Sequence, residues 1–189
     1  MVGFLNVGTL DANADLQAAF RKGLTETGYI DGQNVTVEYR WAEGHFDRLP
    51  SIAADLVHRQ VTVIAATTTP GALAAKATGT TIPIVFETAG DPIKLGLVKS
   101  MNRPGDNVTG VSQLSSELIS KRLGLLHELI PTAKLVGLLV DRADPRAEAQ
   151  VADMNEAARG LDLQIHIVNA SNEDEIDKAF ADVSRVGAR

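Results

Sequence analysis

Residues 61–70 have the sequence VTVIAATTTP, in which an apolar run is followed directly by three threonines and a proline. This pattern indicates the fold class. A continuous run of β-branched and small apolar residues is typical of a parallel strand buried on both faces. Proline is tolerated in the first turn of a helix, so we predict a helix from Pro70 to about Thr78. Ligands of open α/β sheets bind beyond the carboxyl ends of the strands, where these threonines lie.

The same succession of an apolar run and small polar residues occurs at three other places. The runs cover residues 2–7, 82–86 and 135–140, and polar clusters follow at 8–11, 87–92 and 141–145. Further strands are predicted at 35–39, 108–111 and 163–168. Helices are predicted at 11–28, 49–57, 92–100, 116–129, 147–160 and 174–183. This alternation predicts an α/β protein with doubly wound parallel sheets and right-handed crossovers.

The predicted strands are unevenly distributed along the chain. Residues 1–112 contain five of them and form a first lobe, whereas residues 113–189 contain two. A two-stranded parallel sheet makes a poor core, so we interpret 113–189 as part of a second, apparently truncated lobe. The alternative is one continuous seven-stranded sheet. The exposed edges of an unfinished sheet also predict self-association of the chain.

Composition excludes several classes of function. The net charge of −6 argues against a nucleic-acid partner, which requires clustered Lys and Arg. The absence of cysteine excludes disulfides and thiolate metal sites, and the four histidines lack metal-ligand spacing, so no metal or cofactor is predicted. No apolar run approaches the roughly 20 residues of a membrane span, and no signal peptide is recognised before Val2.

Five groups of motifs, in order along the chain, resemble one protein family. They are GLxxxGYxxGQN at 23–34 with EYRWAEG at 38–44, TIPIVF at 81–86 with Gly90-Asp91-Pro92, GLVxS at 96–100, RPGxNxTG at 103–110 and KRLxLLxELxP at 121–131. Together they resemble the substrate-binding proteins of ABC transporters, of the tryptophan/tyrosine-binding type. The resemblance extends over essentially all 189 residues.

The resemblance implies a type I periplasmic-binding-protein fold, in which two α/β lobes close over a small ligand. It also implies a periplasmic or lipid-anchored location outside the cytoplasm, and a membrane permease as the partner that receives the ligand. The sequence departs from the family pattern in lacking a leader and in ending before the later strands of the second lobe. These departures leave open whether the chain alone closes on a ligand.

The strongest candidate site is formed by Thr67, Thr68 and Thr69. A threonine cap followed by Pro70 leaves backbone N–H groups and the positive end of a helix facing the ligand, which suits a carboxylate. The alternative is an ordinary helix cap, but three adjacent hydroxyls exceed what a cap needs. Thr9, after the first strand, is a further candidate, with capping of the next helix as the alternative.

Other candidates follow the fourth and sixth predicted strands. Glu87 and Thr88 are predicted to contact the ligand, with the carboxylate of Glu87 suited to an ammonium group. Asp141 directly follows a strand, and the resemblance places a ligand contact near it. Arg142 and Asp144 are interpreted as a surface ion pair. Trp41 is predicted to pack against the edge of the first lobe, with stacking on a ligand as the alternative.

These patterns predict a solute-binding receptor for an amino-acid-like carboxylate held between the lobes, which binds by hinge closure. No pairing of nucleophile and base is found, so no catalytic residue is assigned and the protein is predicted not to be an enzyme. Two alternatives remain. One is the effector-sensing domain of a transcriptional regulator, and the other is a flavodoxin-like enzyme.

Overall fold

A computed structural model describes residues 1–144 and 146–189, with the side chains of Ser116 and Glu117 left out. The chain divides into two compact units, Met1–Leu114 and Ser115–Arg189, here called unit 1 and unit 2. Each unit is a parallel sheet with helices packed on it. Among the described helices, none is long and apolar enough to cross a membrane.

Unit 1 contains five strands and three α-helices. The strands are β1 (Val2–Asn6), β2 (Val37–Trp41), β3 (Val63–Ala66), β4 (Ile84–Thr88) and β5 (Val108–Ser112). The helices are α1 (Ala14–Glu26), α2 (Leu49–His58) and α3 (Thr69–Ala77), with 3-10 turns at Asp11–Asn13 and Phe46–Arg48. The sheet order is β2-β1-β3-β4-β5, and all the strands are parallel. The carboxyl ends of the strands therefore lie along one edge.

Both faces of β1 and β3 are largely buried, as their unbroken apolar sequence predicts. On one face Leu5, Ile64 and Phe86 belong to a large buried cluster with Leu56 of α2 and Ala72 of α3. The other face is covered by α1 and forms a smaller buried cluster.

Aromatic rings fill the centre of that second face. The ring of Phe4 lies 5.1 Å from Phe20 of α1, 5.3 Å from Tyr39 and 5.3 Å from Trp41, measured between ring centroids. Tilted and edge-on ring pairs at such separations add to the stability gained by burial. In this structure Trp41 therefore packs within unit 1.

Close packing also requires a glycine where β5 meets β4. A Cβ atom on Gly110 would lie 2.1 Å from the backbone oxygen of Phe86. No side chain fits at that separation, so the distance between the two strands depends on this residue. The sequence analysis did not single out Gly110.

The helix predicted over residues 92–100 was wrong. Residues 92–98 form turns instead, in which the Leu97 N–H donates to the Pro92 carbonyl at 2.8 Å. Gly96 has a φ of 68°, a left-handed conformation that ends any α-helix. The Lys76 ammonium group holds the segment by donating to the Gly96 and Leu97 carbonyls at 2.5 and 3.0 Å.

Unit 2 contains two strands and three α-helices within its described residues. They are α4 (Ile119–Leu129), β6 (Leu135–Val140), α5 (Ala147–Arg159), β7 (Gln164–Asn169) and α6 (Glu173–Val186), after a 3-10 turn at Ser115–Leu118. The strands are parallel and pair from Leu135 with Gln164 to Val140 with Asn169. On the other side of β6, backbone groups of Arg189 bond to Leu135 and Gly137.

Small apolar clusters stabilise the two faces of this sheet. One contains Leu123, Val136, Ala158 and Leu163, and the other contains Val168, Ala170 and Ala179. Several large apolar side chains remain exposed, with Phe180 of α6 at 62% and Leu139 of β6 at 42%. Self-association through such residues stays a prediction.

Candidate functional site

The candidate residues of unit 1 lie along the carboxyl edge of its sheet. β1, β3 and β4 are adjacent, so the segments that follow them are neighbours. These segments begin at Val7, Thr67 and Ala89. Hydrogen bonds between them fix the orientation of several polar side chains.

Thr68 is the N-cap of α3, as the sequence predicts. Its Oγ1 accepts a hydrogen bond from the Gly71 N–H at 3.3 Å, and Pro70 lies in the first turn. The side chain of Thr68 is only partly buried. A hydroxyl and the positive end of a nine-residue helix therefore face the same edge of the sheet.

Thr67 is linked to a residue that the sequence analysis missed. The Asn6 amide nitrogen donates to Thr67 Oγ1 at 2.9 Å, and the Gly8 N–H donates to Asn6 Oδ1 at 2.7 Å. Asn6 is only 2% exposed, whereas Thr67 is partly exposed. The available signal was a lone amide within the first apolar run, since a buried amide requires partners.

Thr69 and Thr88 are joined to each other. Their hydroxyl oxygens are 2.7 Å apart, and the residues are 3% and 1% exposed. Thr69 Oγ1 also accepts from the Ala89 N–H at 3.3 Å, and Thr88 Oγ1 accepts from the Gly90 N–H at 3.2 Å. This pair connects the end of β4 to the start of α3 and thereby positions the helix terminus.

Thr9 and Glu87 also lie at this edge. Thr9 is exposed, and its Oγ1 accepts from the Ala12 N–H at 3.3 Å, in keeping with the capping alternative. Glu87 Oε1 accepts a hydrogen bond from Gln113 Nε2 at 2.7 Å. Glu87 is partly exposed.

In unit 2, Asp141 follows β6 and is held by two hydrogen bonds. Its Oδ1 accepts from the Ala143 N–H at 2.9 Å and from the Ser171 hydroxyl at 2.7 Å. These bonds tie the segment after β6 to the segment after β7. Asp141 therefore orders the carboxyl edge of this second sheet.

The ion pair predicted between Arg142 and Asp144 was wrong, because Asp144 pairs with Arg146. Arg146 donates to both carboxylate oxygens, at 2.9 Å from Nε and 2.5 Å from Nη2. Burial by itself raises the pKa of Asp144, but the hydrogen bonds and charge of Arg146 outweigh it and lower that pKa. The Arg142 side chain instead lines an open cavity of about 390 Å³, together with Val140, Ala147, Glu148, Val151, Ile167 and Asn169.

The described part of the chain contains no group of three or more acidic, histidine or cysteine side chains that could hold a metal ion. Hydroxyl groups and helix N-termini, both of which occur at this edge of the unit 1 sheet, are groups that bind anions.

Residues 6–187 match the sequence model of a family described as ABC transporter substrate binding protein. The chain belongs to this family. The resemblance seen in the motifs is therefore confirmed, and members of this family are binding proteins that act outside the cytoplasm.

Individual relatives agree with this assignment. A tyrosine-binding protein of Clostridioides difficile (strain R20291) is 32% identical over 162 residues, which are 86% of this chain and 46% of that protein. A crystal structure of a conserved domain protein from Vibrio cholerae has a TM-score of 0.83 at 26% identity, over 97% of this chain and 61% of that one.

A further solved structure with a similar fold contains a ligand. A Streptococcus pneumoniae ABC domain in complex with L-Trp has a TM-score of 0.76 at 23% identity, over 98% of this chain and 62% of that one. The fold is that of the type I periplasmic binding proteins, as predicted. The chain spans about half the length of the curated relative and about three fifths of these two solved structures.

Proposed function

We propose that the protein is the solute-binding receptor of an ABC uptake transporter and binds the carboxylate of an amino-acid-like ligand at the carboxyl edge of the unit 1 sheet. The observation that carries this proposal is the pair of partly exposed hydroxyls, Thr67 and Thr68, at the start of α3. The chain that contains these residues belongs to the family of ABC transporter substrate-binding proteins.

The N-terminus of α3 carries a partial positive charge. The helix dipole favours an anion at the start of α3. Thr67 and Thr68 are partly exposed and add two hydroxyls, while the buried pair of Thr69 and Thr88 holds the helix start against β4. In this proposal the first two threonines contact the ligand and the second two support them.

The remaining candidates receive supporting parts in the same proposal. Glu87 pairs with the ligand ammonium group, for which its partly exposed carboxylate has the right charge. Thr9 supplies a further hydrogen bond at the exposed end of β1. Asp141, which Ser171 orients, stays a predicted ligand contact.

Similarity to known proteins suggests which ligands to test. One relative is a tyrosine-binding protein, and another was solved with L-Trp. We therefore expect L-tyrosine or L-tryptophan to bind without being converted. Outside the cytoplasm, the protein then passes the ligand to a membrane permease, as the family assignment suggests.

The test replaces Thr68 by aspartate and, as a matched control, by asparagine. Both residues are good N-caps, so both variants should keep α3 and the melting temperature of the protein. Aspartate places a negative charge where the ligand carboxylate is proposed to lie. Binding of L-tyrosine and L-tryptophan, measured by isothermal titration calorimetry, should therefore weaken about 100-fold or more in Thr68→Asp relative to Thr68→Asn.

Two results would contradict the proposal. One is equal affinity of the aspartate and asparagine variants for an amino acid that the unmodified protein binds. The other is an absence of binding by the unmodified protein across amino acids and small carboxylates.

A further inference from the structure

The buried amide of Asn6 lies behind the proposed carboxylate site and bonds to one of its hydroxyls. It occupies the last position of β1, is 2% exposed, and joins β1 to the segment after β3. Many pairs of polar side chains could form a hydrogen bond between two strands. The direction of the hydrogen bond between Asn6 and Thr67 determines whether the Thr67 oxygen donates or accepts.

The orientation of the Asn6 amide follows from its neighbour. The Gly8 N–H lies 2.7 Å from one end of the amide and can only donate, so that end must be the oxygen. The other end is therefore the NH₂ group, which can only donate. It lies 2.9 Å from Thr67 Oγ1, so the Thr67 oxygen accepts.

This bond leaves the Thr67 hydroxyl proton to be directed elsewhere. Within the described residues, the acceptor found for this hydroxyl is the Leu5 carbonyl at 3.5 Å, a distance at which an O–H···O bond is weak. The Leu5 carbonyl already accepts from the Thr67 N–H at 3.0 Å. The Thr67 hydroxyl is thus poised to donate to an acceptor that arrives from outside.

We propose that Asn6 is a positioning residue that makes Thr67 a hydrogen-bond donor toward an anionic oxygen of the ligand. This inference rests on the proposed function and adds a selectivity to it. A carboxylate presents two negatively charged accepting oxygens to the Thr67 proton, whereas a carboxamide presents one neutral carbonyl oxygen and an NH₂ group that cannot accept. Asn6 therefore favours a ligand carboxylate over the corresponding neutral amide without touching either one.

The experiment reverses this polarity with Asn6→Asp. One carboxylate oxygen still accepts from the Gly8 N–H, and the other now accepts the Thr67 proton, so that Thr67 points its lone pairs outward. Binding of L-tyrosine and of L-tyrosinamide is measured by calorimetry for each protein. We expect L-tyrosine to weaken about 10- to 100-fold, as for a lost bond to a charged group, and L-tyrosinamide to change much less.

Charge repulsion by the new carboxylate is separated from the Thr67 effect by a double-mutant cycle. If Asn6 acts through Thr67, Asn6→Asp should add little to the loss already produced by Thr67→Val. A full additional loss in the Thr67→Val background would overturn the inference. So would an equal weakening of L-tyrosine and L-tyrosinamide, which is what a purely structural role predicts.

Failure of the variant to fold does not remove the test. Melting curves identify that outcome, and Asn6→Ser then replaces Asn6→Asp, since it frees Thr67 to rotate without adding charge. It should lower the ratio of L-tyrosine to L-tyrosinamide affinity by a smaller factor, and an unchanged ratio would overturn the inference. Should the unmodified protein bind neither compound nor any other carboxylate, the proposed function fails as well.

Discussion

Units 1 and 2 use the same kind of strand and bury it to different extents. β3 (VIAA) and β6 (LVGLLV) are both unbroken apolar runs. Ile64 of β3 is 0% exposed, whereas Leu139 of β6 is 42% exposed. β3 lies between β1 and β4, while β6 pairs with β7 on one side and with the backbone of Arg189 on the other. Apolar strands with partners on both sides are therefore buried to different extents in the two units.

The largest expected effect comes from truncating the buried strand. Ile64→Ala should lower the free energy of unfolding of unit 1 by about 3 kcal/mol, because it removes a side chain enclosed on all sides. The matched variant Leu139→Ala should cost about 1 kcal/mol or less in unit 2, where the side chain already meets solvent. Hydrogen exchange followed by mass spectrometry measures the opening of each unit separately. Similar losses for the two variants would contradict the difference in burial between β3 and β6.

A glycine in each sheet provides the next test. The Cβ of Gly110→Ala meets the backbone of Phe86 at 2.1 Å, and only a separation of β4 from β5 relieves that overlap. The Cβ of Gly137→Ala meets the Val183 side chain at 3.0 Å, and that side chain can shift. We expect a loss of about 2–3 kcal/mol for Gly110→Ala and about 1 kcal/mol for Gly137→Ala, measured by urea unfolding. The opposite order would show that unit 2 is the more tightly packed sheet.

The smallest effect concerns the acid stability of unit 2. Because the pKa of Asp144 is lowered in the folded chain, its carboxylate stabilises unit 2 above its ordinary pKa of about 3.9. That contribution is lost as the pH falls through the lower, folded pKa. The melting temperatures of the unmodified protein and of Asp144→Asn should therefore differ near pH 7 and converge below about pH 4.

Asp153→Asn is the control for that experiment, since it changes an exposed carboxylate on α5. Its effect on the melting temperature should be small. A gap between Asp144→Asn and the unmodified protein that stays constant down to pH 2 would contradict the ion pair with Arg146.

Periodicity was enough to predict the parallel α/β architecture, since each apolar run became a strand within a few residues of its expected bounds. It failed over residues 92–100, where the proline suggested a helix start. The conformation there depends on the positive φ of Gly96 and on Lys76, which is distant in sequence. Long-range bonds of that kind leave no periodic signal.

The candidate site was predicted only in part, because several of its hydrogen bonds join residues that are distant in sequence. The cap at Thr68 is local and was read correctly from Pro70 and the preceding strand. Asn6 and Thr67 are 61 residues apart, and Thr69 and Thr88 are 19 apart, so their bonds exist only once the strand order is known. Strand order depends on the packing of the whole unit. The ligand contacts themselves stay predictions.

The ring cluster around Phe4 has a practical consequence for optical work on this protein. Trp41 is the only tryptophan in the chain, and it is held 5.3 Å from Phe4 at the end of β2. Its indole fluorescence should therefore report on the packing of the α1 face of unit 1. The chain thus carries a native, single-site reporter for the half that contains the threonine edge, and no label has to be introduced to follow it.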